Sequence, residues 1–392
     1  MLKNWKLFRR RTFLLGLGAF ASTVFFAAAT KRFSFYKKVQ ASYDPKRDFS
    51  VVGNASLRER AAVKGLTYGA FPSFGYNTLS HDKQLQSIFI QECGFIVGGF
   101  YWSVTRPSAS TFHFTETDSF AQFASEHQML FRGHPLVWHQ EIPQWLISKF
   151  KDLRTTSKEI QNILINHVST IVKRYAGRIH SWDVVNEAIE PKHGRSDGLQ
   201  NTPWLKFLGP DYIDLAFRTA RDADPKALLV YNGDKFDHDT PDDEARRIAT
   251  LKLLETLKSK GTPVQALGMQ AHLFGDKPLN QDKLRAFLSD VASLGLKILI
   301  TELDVADNEL PRDIDVRDRI VASVYEDYLS VVLDEPAVIA VITWGFSDRD
   351  TWLSRYPRSD GIPLRPLLFD SNLQRKLAWK AIARAFDKAP KR

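Results

Sequence analysis

The chain has 392 residues, 44% hydrophobic and 25% charged, proportions that exclude a disordered or fibrous polymer and suit a folded globular protein. Of its formal net charge of +9, five basic side chains unopposed by any acid lie in the first 29 residues, which leaves +4 for the rest; no basic helix face with interleaved aromatics follows, and no nucleic-acid partner is expected. Cys93 is the single cysteine, which rules out an intramolecular disulfide and a cysteine-built zinc cage.

In chain order, Lys3, Lys6, Arg9, Arg10 and Arg11 precede an apolar run from Phe13 to Ala29 that closes on Ala27-Ala28-Ala29. This is a basic segment, a hydrophobic segment and a cleavage site. Arg10-Arg11-Thr12-Phe13-Leu14 resembles a twin-arginine export signal. The Gly, Ser and Thr content of the run favours a cleaved signal over an anchor. Residues 1–29 are therefore expected to direct export, periplasmic or extracellular, with no stable membrane association unless the signal stays uncleaved. A second cleavage candidate lies near Val39-Gln40-Ala41, and the polar residues 30–60 read as a linker.

After residue 60 the pattern alternates. Short apolar runs near 65–70, 95–100, 129–137, 179–186, 227–232, 264–270, 296–302 and 338–344 read as strands. Amphipathic stretches near 80–92, 117–127, 157–176, 210–223, 241–260, 280–293, 313–333 and 372–387 read as helices. Gly177, Gly261 and Gly295 each follow a helical stretch, where a left-handed cap needs no Cβ. Eight such units predict an α/β fold, a (β/α)8 TIM barrel over residues 61–390, in which active residues gather at the C-terminal ends of the strands.

Two glutamates stand at such ends. Glu187 follows the fourth strand, directly after Asn186, and Glu302 closes the seventh, two places before Asp304. A barrel brings them to one mouth, and two facing carboxyl groups are the minimum equipment for cleaving a glycosidic bond. Other strand ends are also rich in polar and aromatic groups. The third carries His134, Trp138 and His139, the sixth Gln270 and His272, and the eighth Trp344 with Trp352 beyond it. Trp faces stack on sugar rings, and His, Asn and Gln bond hydroxyls. His134 lies early enough in its strand to read as structural, whereas His139 and His272 read as site residues. Trp138 and Trp182 fit packing and site alike. The histidine spacing matches no close-set ligand motif, so neither a metal nor another cofactor is expected.

With these residues in place, the chain resembles glycoside hydrolase family 10, the endo-β-1,4-xylanases. The motifs match in order from about residue 65 to 385: Arg-Gly-His-x-Leu-Val-Trp-His at 132–139, Trp-Asp-Val-Val-Asn-Glu at 182–187, Gly-x-Gln-x-His at 268–272, Thr-Glu-Leu-Asp at 301–304, Trp-Gly-x-x-Asp-x-x-Thr-Trp at 344–352 and Pro-Leu-Leu-Phe-Asp at 366–370. The resemblance implies a retaining enzyme in which Glu187 is the general acid/base and Glu302 the nucleophile. Asn186 would bond the sugar 2-hydroxyl, and His272, Asp304 and Gln270 would support the nucleophile. Trp344, Trp352 and His139 would surround the sugar at the cleavage point. It also implies a monomer acting on a β-glycan polysaccharide or oligosaccharide, xylan first.

The departures lie at two strand ends and one loop. The family pattern Glu-Asn-x-x-Lys-Trp becomes Val97-Gly98-Gly99-Phe100-Tyr101-Trp102, so Gly98 and Tyr101 stand where Asn and Lys grip the glycone. Asn-Asp-Tyr-Asn becomes Asn232-Gly233-Asp234-Lys235, and Gln140-Glu141 follow His139 where Ser-Gln is usual. The reading is retained chemistry with altered glycone recognition. The alternatives are a related cellulase- or mannanase-like glycanase and a non-catalytic glycan-binding barrel.

Overall fold

The computed structural model describes residues 44–72 and 76–392. The expected signal, residues 1–29, lies outside the described residues. The chain divides into two units, Met1–Asp48 and Phe49–Arg392, and the second is the body described here.

Nine strands run β1 Thr67–Ala70, β2 Phe95–Gly99, β3 Leu130–His134, β4 Ser181–Asn186, β5 Leu228–Gly233, β6 Ala266–Met269, β7 His272–Phe274, β8 Lys297–Ala306 and β9 Val338–Thr343. All pair in parallel in the order β6-β5-β4-β3-β2-β1-β9-β8, and β6 pairs with β8 to close an eight-stranded barrel. The strand outside the barrel, β7, pairs with the outer part of β8, His272 opposite Asp304. Helices fill the crossovers at Thr115–Glu126, Ser157–Arg174, Tyr212–Ala223, Pro241–Ser259, Gln281–Ser293 and Ile314–Val332, and Leu377–Lys388 follows the last strand. Their starts are chemically marked. Thr156, Thr240, Asn280 and Asp313 each accept a backbone N–H of the first turn, one of the donors a helix leaves unpaired. Gly177, Gly261 and Gly295 take the positive φ expected beyond helix ends (74°, 65° and 72°).

Four local expectations shift. The helix expected over 80–92 is two, Tyr76–His81 and Lys83–Glu92, because the Asp82 side chain accepts Leu85 N–H and starts the second afresh. The third strand stops at His134, since Pro135 has no N–H to donate. Pairing resumes when Leu136 and Val137 donate to Asp183 O and Val184 O. The seventh barrel strand runs past Glu302 to Ala306, because β7 gives its last residues a partner. The end of the expected linker is helical: Leu57–Val63 opens with a capping box between Ser56 and Glu59, and Leu57 N–H donates to the buried Glu92.

The barrel interior is an apolar cluster with one buried ion pair, Arg132 with Asp183, set in register with it. Phe95, Val97, Val230, Ala266, Leu299, Ala340 and Ile342 pack inside it, and Phe71 and Trp344 cover its upper end. The two glutamate-bearing strands share an irregularity: β4 gains a residue against β5 between Asp183 and Val185, and β8 gains one against β9 between Ile300 and Leu303. A bulge re-aims the side chains beside it, and here one lies just before Glu187 and the other at Glu302.

Candidate active site

Above the aromatic cover the strand ends form a cleft of about 1080 Å³, lined by both glutamates. Glu302 is buried and held from three sides. Asn232 Nδ2 donates to its Oε1 (2.8 Å), His272 Nε2 lies 3.2 Å from its Oε2, and His134 Nδ1 is 3.8 Å from Oε1. Each of these partners is itself fixed. His272 Nδ1 is 3.0 Å from Asp304 Oδ1, and Trp352 Nε1 donates to Asp304 Oδ2 at 2.6 Å. His134 Nδ1 is 2.8 Å from Asp183 Oδ2, and Asp183 also pairs with buried Arg132. Asn232 accepts from Thr301 Oγ1 (2.8 Å) and donates to Asn186 Oδ1 (2.9 Å). Its amide lies where a Cβ at Gly268 would sit, only 2.2 Å away, so that glycine makes the room.

Glu187 is tied differently. Gln270 Nε2 (2.8 Å) and Asn186 Nδ2 (3.3 Å) donate to Oε1, and Trp138 Nε1 (3.0 Å) donates to Oε2. Its backbone takes φ +55°, a left-handed conformation that costs a non-glycine residue about 1–3 kcal/mol. Its N–H is held by Asn232 O at 2.9 Å. Glu141, Lys235 and Ala271, also in loops beyond strand ends, take positive φ as well (51°, 59° and 60°). Such strain gathers where surrounding contacts force it and function needs it.

The two carboxyls are pushed apart in acidity. Burial raises Glu187, the charge of Asp234 and then of Glu302 adds to this, and the Gln270 and Trp138 hydrogen bonds only partly offset it. Burial works on Glu302 in the same direction, but the charge of His134, the bond to and charge of His272 and the Asn232 bond outweigh it, leaving Glu302 below the ordinary glutamate value. His272 is raised well above the usual imidazole range: burial opposes its charge, and Asp304 and Glu302 more than restore it. The two carboxyls are thus displaced in opposite directions, one toward keeping its proton and the other toward ionisation beside His272, an arrangement suited to acid and nucleophile roles on one bond.

Nine of the ten expected site residues, Glu187, Glu302, Asn186, Gln270, His272, Asp304, Trp138, Trp344 and Trp352, join this one network or its aromatic walls. Trp344 stacks on Phe71 (4.4 Å between centroids) and meets His134 edge-on (5.1 Å); Trp352 lies 4.9 Å from His272. His139 lines the cleft but its imidazole meets Gln200 Nε2 (3.0 Å) and Gln140 rather than the glutamates. Burial lowers its pKa to about 4, so it stays neutral. Trp182 packs, fully buried, over Gly133. His134, expected to be structural, is buried and bonded to Asp183 as such a residue would be, and it also stands 3.8 Å from Glu302. Asn232 was not foreseen as a site residue, although it is the one position that the fifth strand shares with the family pattern. Among the described residues no group of His, Cys, Asp and Glu is placed to hold a metal ion.

A closed (β/α)8 barrel with an acid and an ionised carboxyl in one sugar-sized cleft defines a glycosidase-type site. The model of glycosyl hydrolase family 10 matches residues 56–385, and the chain belongs to that family. It is 32% identical over 281 residues to endo-1,4-beta-xylanase B of Thermotoga neapolitana, covering 72% of this chain and 76% of that one. With endo-1,4-beta-xylanase A of Caldicellulosiruptor saccharolyticus it shares 35% over 295 residues, 71% of this chain and 82% of the relative. Five other curated relatives are longer, and the chain spans 23–40% of their length. The crystal structure of xylanase 10B from Thermotoga maritima superposes with a TM-score of 0.76 at 32% identity, covering 85% of this chain and 98% of that one.

Proposed function

We propose that the protein is a retaining endo-β-1,4-glycanase that hydrolyses xylan by double displacement. Ionised Glu302 attacks the anomeric carbon while Glu187 protonates the departing glycosidic oxygen; Glu187, now a base, then draws a proton from the water that releases the glycosyl-enzyme. The observation that carries this reading is the opposite displacement of the two carboxyls within one hydrogen-bonded network. The relatives named xylanases support the choice of polymer. His272, gripped by Asp304, keeps Glu302 ionised, and Asn186 is placed to bond a sugar hydroxyl beside both.

The test is release of reducing ends from xylan, cellulose and mannan, with Glu302→Ala as control. Xylan should be cut fastest, giving the β-anomer first by NMR. Wild type no faster than the variant on all three polymers would leave only a glycan-binding role. We further propose that residues 1–29 route the protein out of the cell. Fused to a reporter, they should export it with Arg10-Arg11 intact and retain it inside when both become Lys.

A further inference from the structure

Of the large apolar side chains that the described residues leave exposed, three line the cleft: Val104, Phe274 and Tyr356. Val104 has no ring to offer. Phe274 has one face covered by the Lys277 ammonium, 3.5 Å from the ring centre. Tyr356 is the most open of the three, 61% exposed. Trp352 meets it at 85°, with 5.8 Å between centroids, an edge-to-face contact that leaves at least one face of the tyrosine ring open. Other rings of the cleft are engaged: Phe71 and Trp344 stack on each other, and Tyr101 lies against His134 and Trp138.

The backbone beneath Tyr356 is held in place. Tyr356 follows the short helical turn Trp352–Arg355, and its N–H donates to Leu353 O at 2.8 Å. Its carbonyl accepts from Asn308 Nδ2 at 2.5 Å, in the loop after β8. Two residues further on, buried Arg358 donates to Asp307 O and, at 2.8 Å, to Leu310 O of that same loop. Leu353 packs with Ala306 and Leu364, and Trp352 lies against this cluster. The loops after β8 and β9 are thus tied together at Tyr356 and again at Arg358. A ring on such a support loses little backbone freedom when a ligand covers it, and preorganisation of this kind favours binding.

The contacts run outward from the chemistry in steps: Glu302 to His272 (3.2 Å), His272 to Trp352 (4.9 Å), Trp352 to Tyr356 (5.8 Å). A sugar over Tyr356 is therefore a further unit of the chain, not the one being cleaved. A pyranose presents a face of C–H groups inside a rim of hydroxyls, and tyrosine matches it with an apolar face and a polar tip.

We propose that Tyr356 is a distal sugar platform: its open face stacks on a pyranose ring beyond the one at Trp352 and gives the protein a preference for longer β-glycan chains. This rests on the glycanase reading and deepens it, assigning chain-length preference to a residue outside the motifs shared with the family. A remote sugar is held alike in ground and transition states, so the contact acts on KM and not on kcat.

The test compares wild type with Tyr356→Ala, Tyr356→Leu and Tyr356→Trp on xylo-oligosaccharides, from the shortest that is cut to xylohexaose. On the shortest all four should match. On xylohexaose the Ala and Leu variants should lose about 3- to 10-fold in kcat/KM, through KM, the worth of one aromatic contact, and the Trp variant should lose nothing. An equal loss at every chain length would make the ring a mere prop for Trp352 and overturn the proposal, as would no loss at any length. Calorimetric titration of the same oligosaccharides in a Glu302→Ala background needs no turnover. Affinity that grows with chain length, and stops growing when Tyr356→Ala is added, supports the platform; if wild type nonetheless cuts no glycan, only the glycanase reading fails. Affinity that does not grow with length, or grows equally in both proteins, overturns the platform and leaves cleavage by wild type untouched.

Discussion

The floor of the cleft and its wall are built on different physical terms. On the floor, every side-chain polar atom of Glu302, His272 and Asp304 meets a partner, on another strand or, for Asp304 Oδ2, on Trp352 in the loop beyond β9. On the wall formed by the end of β2, polar groups have given way to rings. A Cβ at Gly98 would lie 2.7 Å from the Phe131 ring, and one at Gly99 would lie 2.9 Å from the Tyr101 ring. Tyr101 packs edge-on to His134 (5.8 Å) and beside Trp138 (6.1 Å). A hydrogen-bonded network in a low-dielectric site cannot lose one member without leaving others unpaired, which costs about 1–3 kcal/mol each. A wall that only touches substrate can exchange hydrogen bonds for aromatic contact and change preference without losing chemistry.

The largest expected effects therefore lie on the floor. Glu302→Ala should abolish turnover on every substrate. Glu187→Ala should slow xylan hydrolysis about 10²- to 10⁴-fold, the usual worth of general acid catalysis, and slow an aryl glycoside with a good leaving group far less. Equal losses on both substrates would break the assignment. The wild-type kcat/KM profile should be bell-shaped. As pH falls, Glu302 takes up a proton only below the ordinary glutamate value, because its partners stabilise the anion; as pH rises, Glu187 ionises only above that value, because burial and its neighbours oppose the charge. The plateau lies between these limits.

Next in size is the point where floor meets wall. Trp352→Phe keeps the ring against His272 but removes the donor to Asp304 Oδ2. A hydrogen bond to a charged group is worth about 1.5–3 kcal/mol, so kcat/KM should fall by up to about 100-fold, chiefly in kcat. A change confined to KM would make Trp352 only a sugar platform. On the wall proper, Gly98→Asn should not restore a glycone hydrogen bond. Phe131 is buried and packed against Phe100 and Tyr175, so the new side chain overpacks the site. The cost is about 1–3 kcal/mol of stability, read as a lower denaturation midpoint.

The same division explains what the amino-acid order could disclose. The barrel and its glutamates were legible because each rests on a local pattern: an apolar strand, a capped helix, and an acid placed where a core residue is expected. His134 was expected to be structural, and its ring is buried and bonded to Asp183. What the strand pattern could not disclose is that the same ring stands 3.8 Å from Glu302, a partner 168 residues away in sequence. The bulges in β4 and β8 and the short strand β7 depend on partners dozens of residues away, and so does the Asp234–Arg246–Glu190 cluster. No local periodicity announces them. The glycines at 98 and 233 could be seen as departures, but the rings that fill their space could not.

The smallest effect should come from His139, which belongs to the wall by contact and to the family pattern by sequence. Its imidazole is neutral, accepts from Gln200, and makes no hydrogen bond to either glutamate. His139→Ala removes a neutral hydrogen bond worth about 0.5–1.5 kcal/mol, so kcat/KM should fall only about 2- to 12-fold, through KM, with both pH limbs in place. A loss of the size caused by Glu187→Ala, or a displaced alkaline limb, would move His139 from the wall to the floor and erase the boundary drawn between them.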